Sequence, residues 1–250
     1  MRHKIAVIAS ALFMALTLTA CGSVSSDSAP GAADHDRTAA QEQPDRQETT
    51  AGKSDQGSAE AETVTDAAQT KTAPASDGKK ILVAYFSRAD ENYNVGTVEV
   101  GNTQIVAEYI ADAVGADSFH IETVTPYPAD YDACCDAARK ELAEKARPEI
   151  QGSVENMEQY DIVFLGYPIW WGDMPMAVYT FMDSYPLSDK IIIPFCTHEG
   201  SGLSGTDQRI ADCTGAQMRT AIAMRGSAAQ AFSAETQQTV REWLDGLGFR

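Results

Sequence analysis

From Lys79 to the end of the chain, apolar runs of strand length alternate with stretches of helical period, and that alternation leaves few folds open. Ile81-Leu82-Val83-Ala84-Tyr85-Phe86 is a continuous apolar run, as expected of a strand covered on both faces. Ile105, Val106, Tyr109, Ile110, Ala113 and Val114 then recur at helical spacing, and Gly115 ends the pattern. Phe119-His120-Ile121 is a short second strand, followed by a helix over Asp132 to Lys145 with a charged outer side. Ile162 to Leu165 forms the third strand, and a helix over Ala177 to Asp183 follows Pro175. Ile191-Ile192-Ile193-Pro194-Phe195 is the fourth strand and Met218 to Met224 the fifth. Val240, Trp243, Leu244 and Leu247 give the last helix its apolar stripe. The spacing predicts one α/β domain over residues 79–250. Its core is a doubly wound five-stranded parallel sheet with helices on both faces and right-handed crossovers. In such sheets ligands lie outside the carboxyl ends of the strands, where the strand order reverses.

Three loops leave those ends. The first begins Phe86-Ser87-Arg88 and closes Gly101-Asn102-Thr103-Gln104, at the start of the first helix. A helix N-terminus offers free N–H groups and the positive end of a dipole. Ser87, Asn102 and Thr103 add side-chain donors, and Gly101 brings backbone close, which together suit a phosphate. The loop lacks the lysine of a nucleoside-triphosphate loop and the three-glycine pattern of a dinucleotide fold. The competing reading is that Asn102 or Thr103 simply caps the helix. The second loop, Gly166-Tyr167-Pro168-Ile169-Trp170-Trp171-Gly172-Asp173-Met174-Pro175, places two tryptophans at the mouth of a buried strand. One packs inward and the other offers a stacking platform for a planar ring. The third, Thr197-His198-Glu199-Gly200-Ser201-Gly202-Leu203-Ser204-Gly205, has glycines that admit a flat ligand close to backbone. Either of the last two loops alone could be a plain turn.

Taken in order, the Ser-Arg…Gly-Asn-Thr loop, the Pro-x-Trp-Trp-Gly segment and the Gly-Ser-Gly loop resemble those of flavodoxins and flavodoxin-like proteins, over about residues 79–248. The resemblance implies a flavodoxin-like fold and bound FMN. Its phosphate would lie on Ser87, Arg88, Gly101, Asn102, Thr103 and Gln104. Its ring would lie between Pro168, Ile169, Trp170, Trp171 and Gly172 on one side and Thr197, His198, Glu199, Gly200, Ser201 and Gly202 on the other. Two departures stand out. Residues 89–100 are an insertion within the phosphate loop, and after the fourth strand only His198 supplies a flat side chain where many flavodoxins carry a tyrosine. With FMN the redox chemistry belongs to the flavin, and the protein contributes position and electrostatics. Asp173 and Glu199 are expected near the ring, lowering its potential. His198 is the candidate proton donor, or else a hydrogen-bonded loop residue.

The chain before Lys79 reads differently. Arg2 and Lys4 precede a nearly continuous apolar stretch from Ile5 to Ala20, which has the form of a secretory signal. Leu18-Thr19-Ala20-Cys21 resembles a bacterial lipoprotein signal, which implies lipidation of Cys21 and an extracytoplasmic, membrane-anchored protein. Residues 21–78 follow as a tether. Beyond Cys21 they contain no aromatic residue, isoleucine or leucine, so they cannot bury enough apolar surface to offset the entropy of ordering. As a coil they would span roughly 40 Å.

The domain from Lys79 onward holds 25 acidic and 13 basic residues, which argues against a nucleic-acid partner and allows steering of a basic one. Cys134, Cys135, Cys196 and Cys213 show no zinc-like spacing. Export permits a disulfide, although a bridge between the adjacent Cys134 and Cys135 would be strained. No paired carboxylates or catalytic triad point to hydrolysis. Three functions remain. The leading one is an FMN electron carrier serving a redox partner protein or a small-molecule acceptor. The others are an NAD(P)H-dependent quinone or flavin reductase, and a partner-binding flavodoxin fold without flavin. The absence of a second nucleotide-binding pattern in the sequence favours the carrier.

Overall fold

The computed structural model describes residues 78–249; the expected leader over 1–20 and the expected tether over 21–78, apart from Gly78, lie outside that range, Cys21 included. The first strand, β1 (Ile81–Tyr85), is buried at every position. It is an inner strand of a parallel sheet, one position from the edge. On one side it pairs with β4 (Asp117–His120) and on the other with β5 (Ile162–Pro168). β5 pairs in turn with β6 (Ile191–His198). Beyond β6 the fifth position is shared by two short pieces, β7 (Gln217–Met218) and β8 (Ile222–Arg225). The sheet is therefore doubly wound, as the alternating pattern predicts, but the strand expected from Met218 to Met224 is interrupted.

Pro194 accounts for the interruption. The Arg219 N–H donates to the Ile192 carbonyl, whereas the Ile169 N–H takes the Thr197 carbonyl from the opposite edge. Even-numbered residues of β6 thus face the fifth position with their backbone groups. Pro194 shares that side and has no N–H to give. β7 pairs below it, with Ile191 and Ile192, and β8 above it, from Phe195 to His198.

Alternate residues of β1 point to opposite faces, and each face has its own apolar core. Ile81, Val83 and Tyr85 meet Val106 and Ile110 of α1 (Asn102–Val114) and Val240 and Leu244 of α6 (Ala234–Gly246). Leu82, Ala84 and Phe86 meet Val178 and Phe181 of α3 (Met176–Ser184) and Ile210 of α4 (Thr206–Thr214). Gly166 stands beside Phe195 across the β5–β6 ladder, and a Cβ there would collide with the buried Phe195 ring. A short helix, α5 (Gly226–Ala231), follows β8 directly.

The insertion at 89–100 folds as an antiparallel hairpin of β2 (Asp90–Asn92) and β3 (Gly96–Val98). It is fastened to the segment ahead of α2 (Tyr131–Glu144). Glu91 N–H donates to the Ala129 carbonyl at 3.3 Å, and the Glu91 carboxylate accepts from Tyr131 N–H at 3.1 Å. The hairpin consequently sits over the carboxyl ends of the strands rather than hanging free of them.

Candidate functional site

Between the ends of β1, β5 and β6 lies a cleft of about 200 Å³. Of the residues expected at a site, it brings together Arg88, Asn102, Pro168, Ile169, Trp170, Trp171, Thr197, His198 and Glu199. Its lining does not include Ser87, Gly101, Thr103, Gln104, Gly172, Gly200, Ser201 or Gly202. Several of these build the frame behind it. Ser87 Oγ accepts from Gln104 N–H at 3.0 Å, tying β1 to the first turn of α1. Thr103 and Thr197 are both buried and share a hydroxyl–hydroxyl bond of 2.8 Å. Gly101 packs so closely that a Cβ would collide with Ser87 Oγ and the Arg88 carbonyl. Gly101 is also the N-cap of α1 and has no side chain to offer, so the Gln104 N–H of the first turn is taken by Ser87 from the preceding loop. Neither Asn102 nor Thr103 therefore acts as the cap, and of the first turn only Asn102 lines the cleft.

The two tryptophans, both lining the cleft, differ in burial. Trp170 packs against the core, edge-to-face with Phe86 at 5.3 Å and Tyr127 at 5.1 Å. Trp171 is 49 % exposed. Its backbone has φ +53° and that of Gly172 has φ +73°. Asp173 N–H closes the turn on the Trp170 carbonyl at 3.0 Å. Two positive φ values at the centre of a closed four-residue turn are the pattern that glycine and asparagine favour. A tryptophan there is strained. It is held by Nε1 donating to the Cys135 carbonyl at 3.0 Å and by the Arg139 guanidinium, 4.1 Å from its ring centre. Local propensity would not choose this residue, which points to a role for the exposed indole.

The polar groups of the cleft are incompletely used. Arg88 spends its terminal nitrogens on carbonyls, Nη1 on Glu91 at 2.6 Å and Nη2 on Pro128 and Ala129 at 2.7 and 2.6 Å. Its Nε is buried and has no partner among the described residues. The same holds for Oε1 of Glu199, whose other oxygen accepts from Asn94 Nδ2 at 3.3 Å. An orphaned buried donor or acceptor costs about 1–3 kcal/mol, so two in one cleft mark places that a ligand can complete. His198 Nδ1 accepts from Gly200 N–H at 2.8 Å, so the neutral ring carries its hydrogen on Nε2. Burial, and then the positive charge of Arg225, lower the His198 pKa against an opposing push from Glu199. At neutral pH the ring is a hydrogen-bond donor and not a ready acid.

Asp173 departs from expectation. Its Oδ1 accepts from Met174 N–H and Tyr179 OH at 2.8 and 2.9 Å, and Oδ2 lies 3.7 Å from Arg209 Nε. It is thus spent in fixing the tryptophan turn, and Glu199 is the carboxylate that reaches the cleft.

The sequence reading missed one wall. Asn92 and Tyr93 of the hairpin, with Tyr131, Cys134, Cys135 and Ala138 of α2, complete the cleft. Tyr93, 53 % exposed, stacks on Tyr131 at 5.9 Å. The signal available was an aromatic at the tip of an insertion within a candidate binding loop. Burial pushes the Cys134 thiol up to about 11, although Arg88 pulls the other way. The four described cysteines are unpaired.

A family model described as Flavodoxin matches residues 80–247. The chain belongs to the flavodoxin family. Among solved structures it is similar to a protein assigned as a flavoprotein from Bacteroides eggerthii DSM 20697. The two are 28% identical with a TM-score of 0.55, over 68% of this chain and 99% of that one. A second assigned flavoprotein, from Bacteroides uniformis ATCC 8492, is 25% identical with a TM-score of 0.54, over 67% and 99%. A flavoprotein from Lactobacillus acidophilus NCFM, solved in complex with FMN, is 19% identical with a TM-score of 0.47, over 61% and 97%. No curated protein matches. Membership in the flavodoxin family accords with a cleft that offers a helix N-terminus, an exposed indole and two unsatisfied polar atoms. These residues fit a flavin nucleotide.

Proposed function

We propose that this protein binds FMN in the cleft and exchanges electrons through it as a carrier. The observation that carries the reading is the joint position of the α1 N-terminus, the strained exposed Trp171 and the orphaned Arg88 Nε, all at the carboxyl end of one parallel sheet. Arg88 and the first turn of α1 would hold the phosphate, because N–H groups and a positive dipole favour an anion there. Trp171 would cover the ring. His198 would offer Nε2–H to an acceptor atom on it. Bound FMN supplies one- or two-electron transfer; the chain's residues bind it, orient it and set how much water reaches it.

A second reading, an FMN-dependent reductase of aromatic acceptors, is favoured by the exposed Tyr93 and its stack on Tyr131 at the cleft mouth. NADH oxidation with added quinone separates the two. The carrier is expected to show no turnover above free FMN until a separate reductase is supplied. Saturable turnover by this chain alone would favour the reductase.

The anchor is proposed from the sequence. With Cys21 lipidated and residues 22–78 as a tether, the domain would work on the outer side of a bacterial cytoplasmic membrane, exchanging electrons with a redox protein or a small acceptor. Cys21→Ser is expected to shift the protein from the membrane fraction to a soluble or unprocessed form. Unchanged membrane association would contradict the anchor and leave the flavin reading intact.

A further inference from the structure

Glu199 is the one carboxylate among the cleft-lining residues, and its surroundings define what it can accept. It follows His198 at the end of β6, next to the start of α1. Oε2 takes a hydrogen bond from Asn94 at the tip of the hairpin. Oε1 is buried and has no partner among the described residues. No cation pairs with this carboxylate among the described ion pairs; Arg88 lines the same cleft but its terminal nitrogens are spent on backbone carbonyls.

Gly226, the first residue of α5, makes the space. A Cβ at Gly226 would fall within 2.5 Å of Glu199 Oε1 and would also overlap Asn102 Nδ2. The carboxylate and the amide of Asn102 therefore sit together in a niche that only glycine leaves open. Asn102 begins α1, at the anion-favouring end of the cleft. Glu199 thus shares the cleft with Asn102 at the start of α1 on one side and with His198 and Trp171 on the other, with no ion pair to it among the described residues.

A buried carboxylate oxygen in that position needs a proton donor. A phosphate oxygen is an acceptor and repels it. Of the parts of a flavin nucleotide, the hydroxyls of the sugar-alcohol chain are donors located between phosphate and ring. We propose that Glu199 is a specificity-determining residue that accepts from a chain hydroxyl, with Asn102 Nδ2 alongside as a donor to the same chain. The proposal rests on the flavin reading of the cleft and deepens it. It implies selection for flavins that carry a hydroxylated chain over those that carry only the ring.

The test uses the full chain and three probes: FMN, riboflavin, and lumiflavin, which has the ring without the chain. Glu199→Ala is expected to weaken FMN and riboflavin by about ten-fold or more, the loss of one hydrogen bond to a charged group. Lumiflavin should change less than about two-fold, since it has no hydroxyl to lose. Gly226→Ala is the second variant. It keeps both side chains and displaces only their flexible ends, so it should reproduce the selective loss. Thermal unfolding of each variant reports whether the fold is intact. An equal loss for all three probes would mean that the carboxylate serves the ring. No loss for any, or tighter binding of FMN and riboflavin, would mean that no chain hydroxyl meets it. Each of these overturns the proposal while native binding still stands. If the native protein binds none of the three, the flavin reading itself falls, and the proposal with it.

Discussion

Replacing Trp171 with glycine is expected to lower FMN affinity by about 1–3 kcal/mol, from lost aromatic stacking and burial, while folding stability stays within about 1 kcal/mol of the native chain. The two effects part company because of the turn. Trp171 occupies a left-handed conformation, φ +53°, which glycine adopts freely. Removing it forfeits the bond from Nε1 to the Cys135 carbonyl and the Arg139 contact, both at an exposed position. Relief of the backbone strain offsets that loss. Trp170→Ala should behave in the opposite way. Its ring is part of the contact with Phe86 and Tyr127 under the cleft. Truncation should cost about 2–4 kcal/mol of folding stability, toward the lower part of the range for a large aromatic because the ring is only partly enclosed. Flavin titration beside thermal unfolding, for each single variant, checks both. Stability lost at Trp171 and affinity lost only at Trp170 would reverse the assignment of the two rings.

Gly101→Ala is the second large effect. Nothing about the φ of Gly101, −69°, requires glycine. Space does, because a Cβ would meet Ser87 Oγ and the Arg88 carbonyl. The backbone cannot yield without moving the start of α1 away from β1 and loosening the bond from Gln104 N–H to Ser87 Oγ. The N–H groups of the first turn and Arg88 would then be misaimed together. FMN binding is expected to weaken by about 3 kcal/mol, on the scale of one or two hydrogen bonds to a charged group. Riboflavin, with no phosphate, should lose much less. Isothermal titration with the two ligands measures the difference directly. Equal losses would place the phosphate elsewhere.

The architecture was legible because each buried strand announces itself. A sheet covered on both faces demands unbroken apolar runs, and Ile81–Phe86, Ile162–Leu165 and Ile191–Phe195 supply them. The fifth position was half legible. Ile222 and Met224 read as strand, but the break before them comes from Pro194 on a neighbouring strand, a long-range cause that local pattern does not carry. The strand-end loops were legible as a set through their glycines and tryptophans. What each side chain does there was not. Thr103 looks like an open phosphate donor in sequence, whereas it is buried and shares a hydroxyl–hydroxyl bond with Thr197. Asp173 looks like a neighbour of the ring and is spent on Tyr179, Met174 and Arg209. The wall formed by Tyr93, Tyr131 and the Cys134–Cys135 turn depends on a hairpin folding back onto α2, through Arg88 and Glu91 bonds spanning about forty residues of chain. Local periodicity has no access to such bonds.

The most direct test of the account is titration of the purified full-length protein with FMN, following flavin fluorescence. Stacking against Trp171 in a cleft of limited water access should quench the emission, with one FMN per chain and a Kd of about 1 µM or tighter, some 8 kcal/mol of binding. Emission that follows the added FMN linearly, with no saturating quench at excess protein, would contradict the claim that this flavodoxin-family cleft is an FMN site.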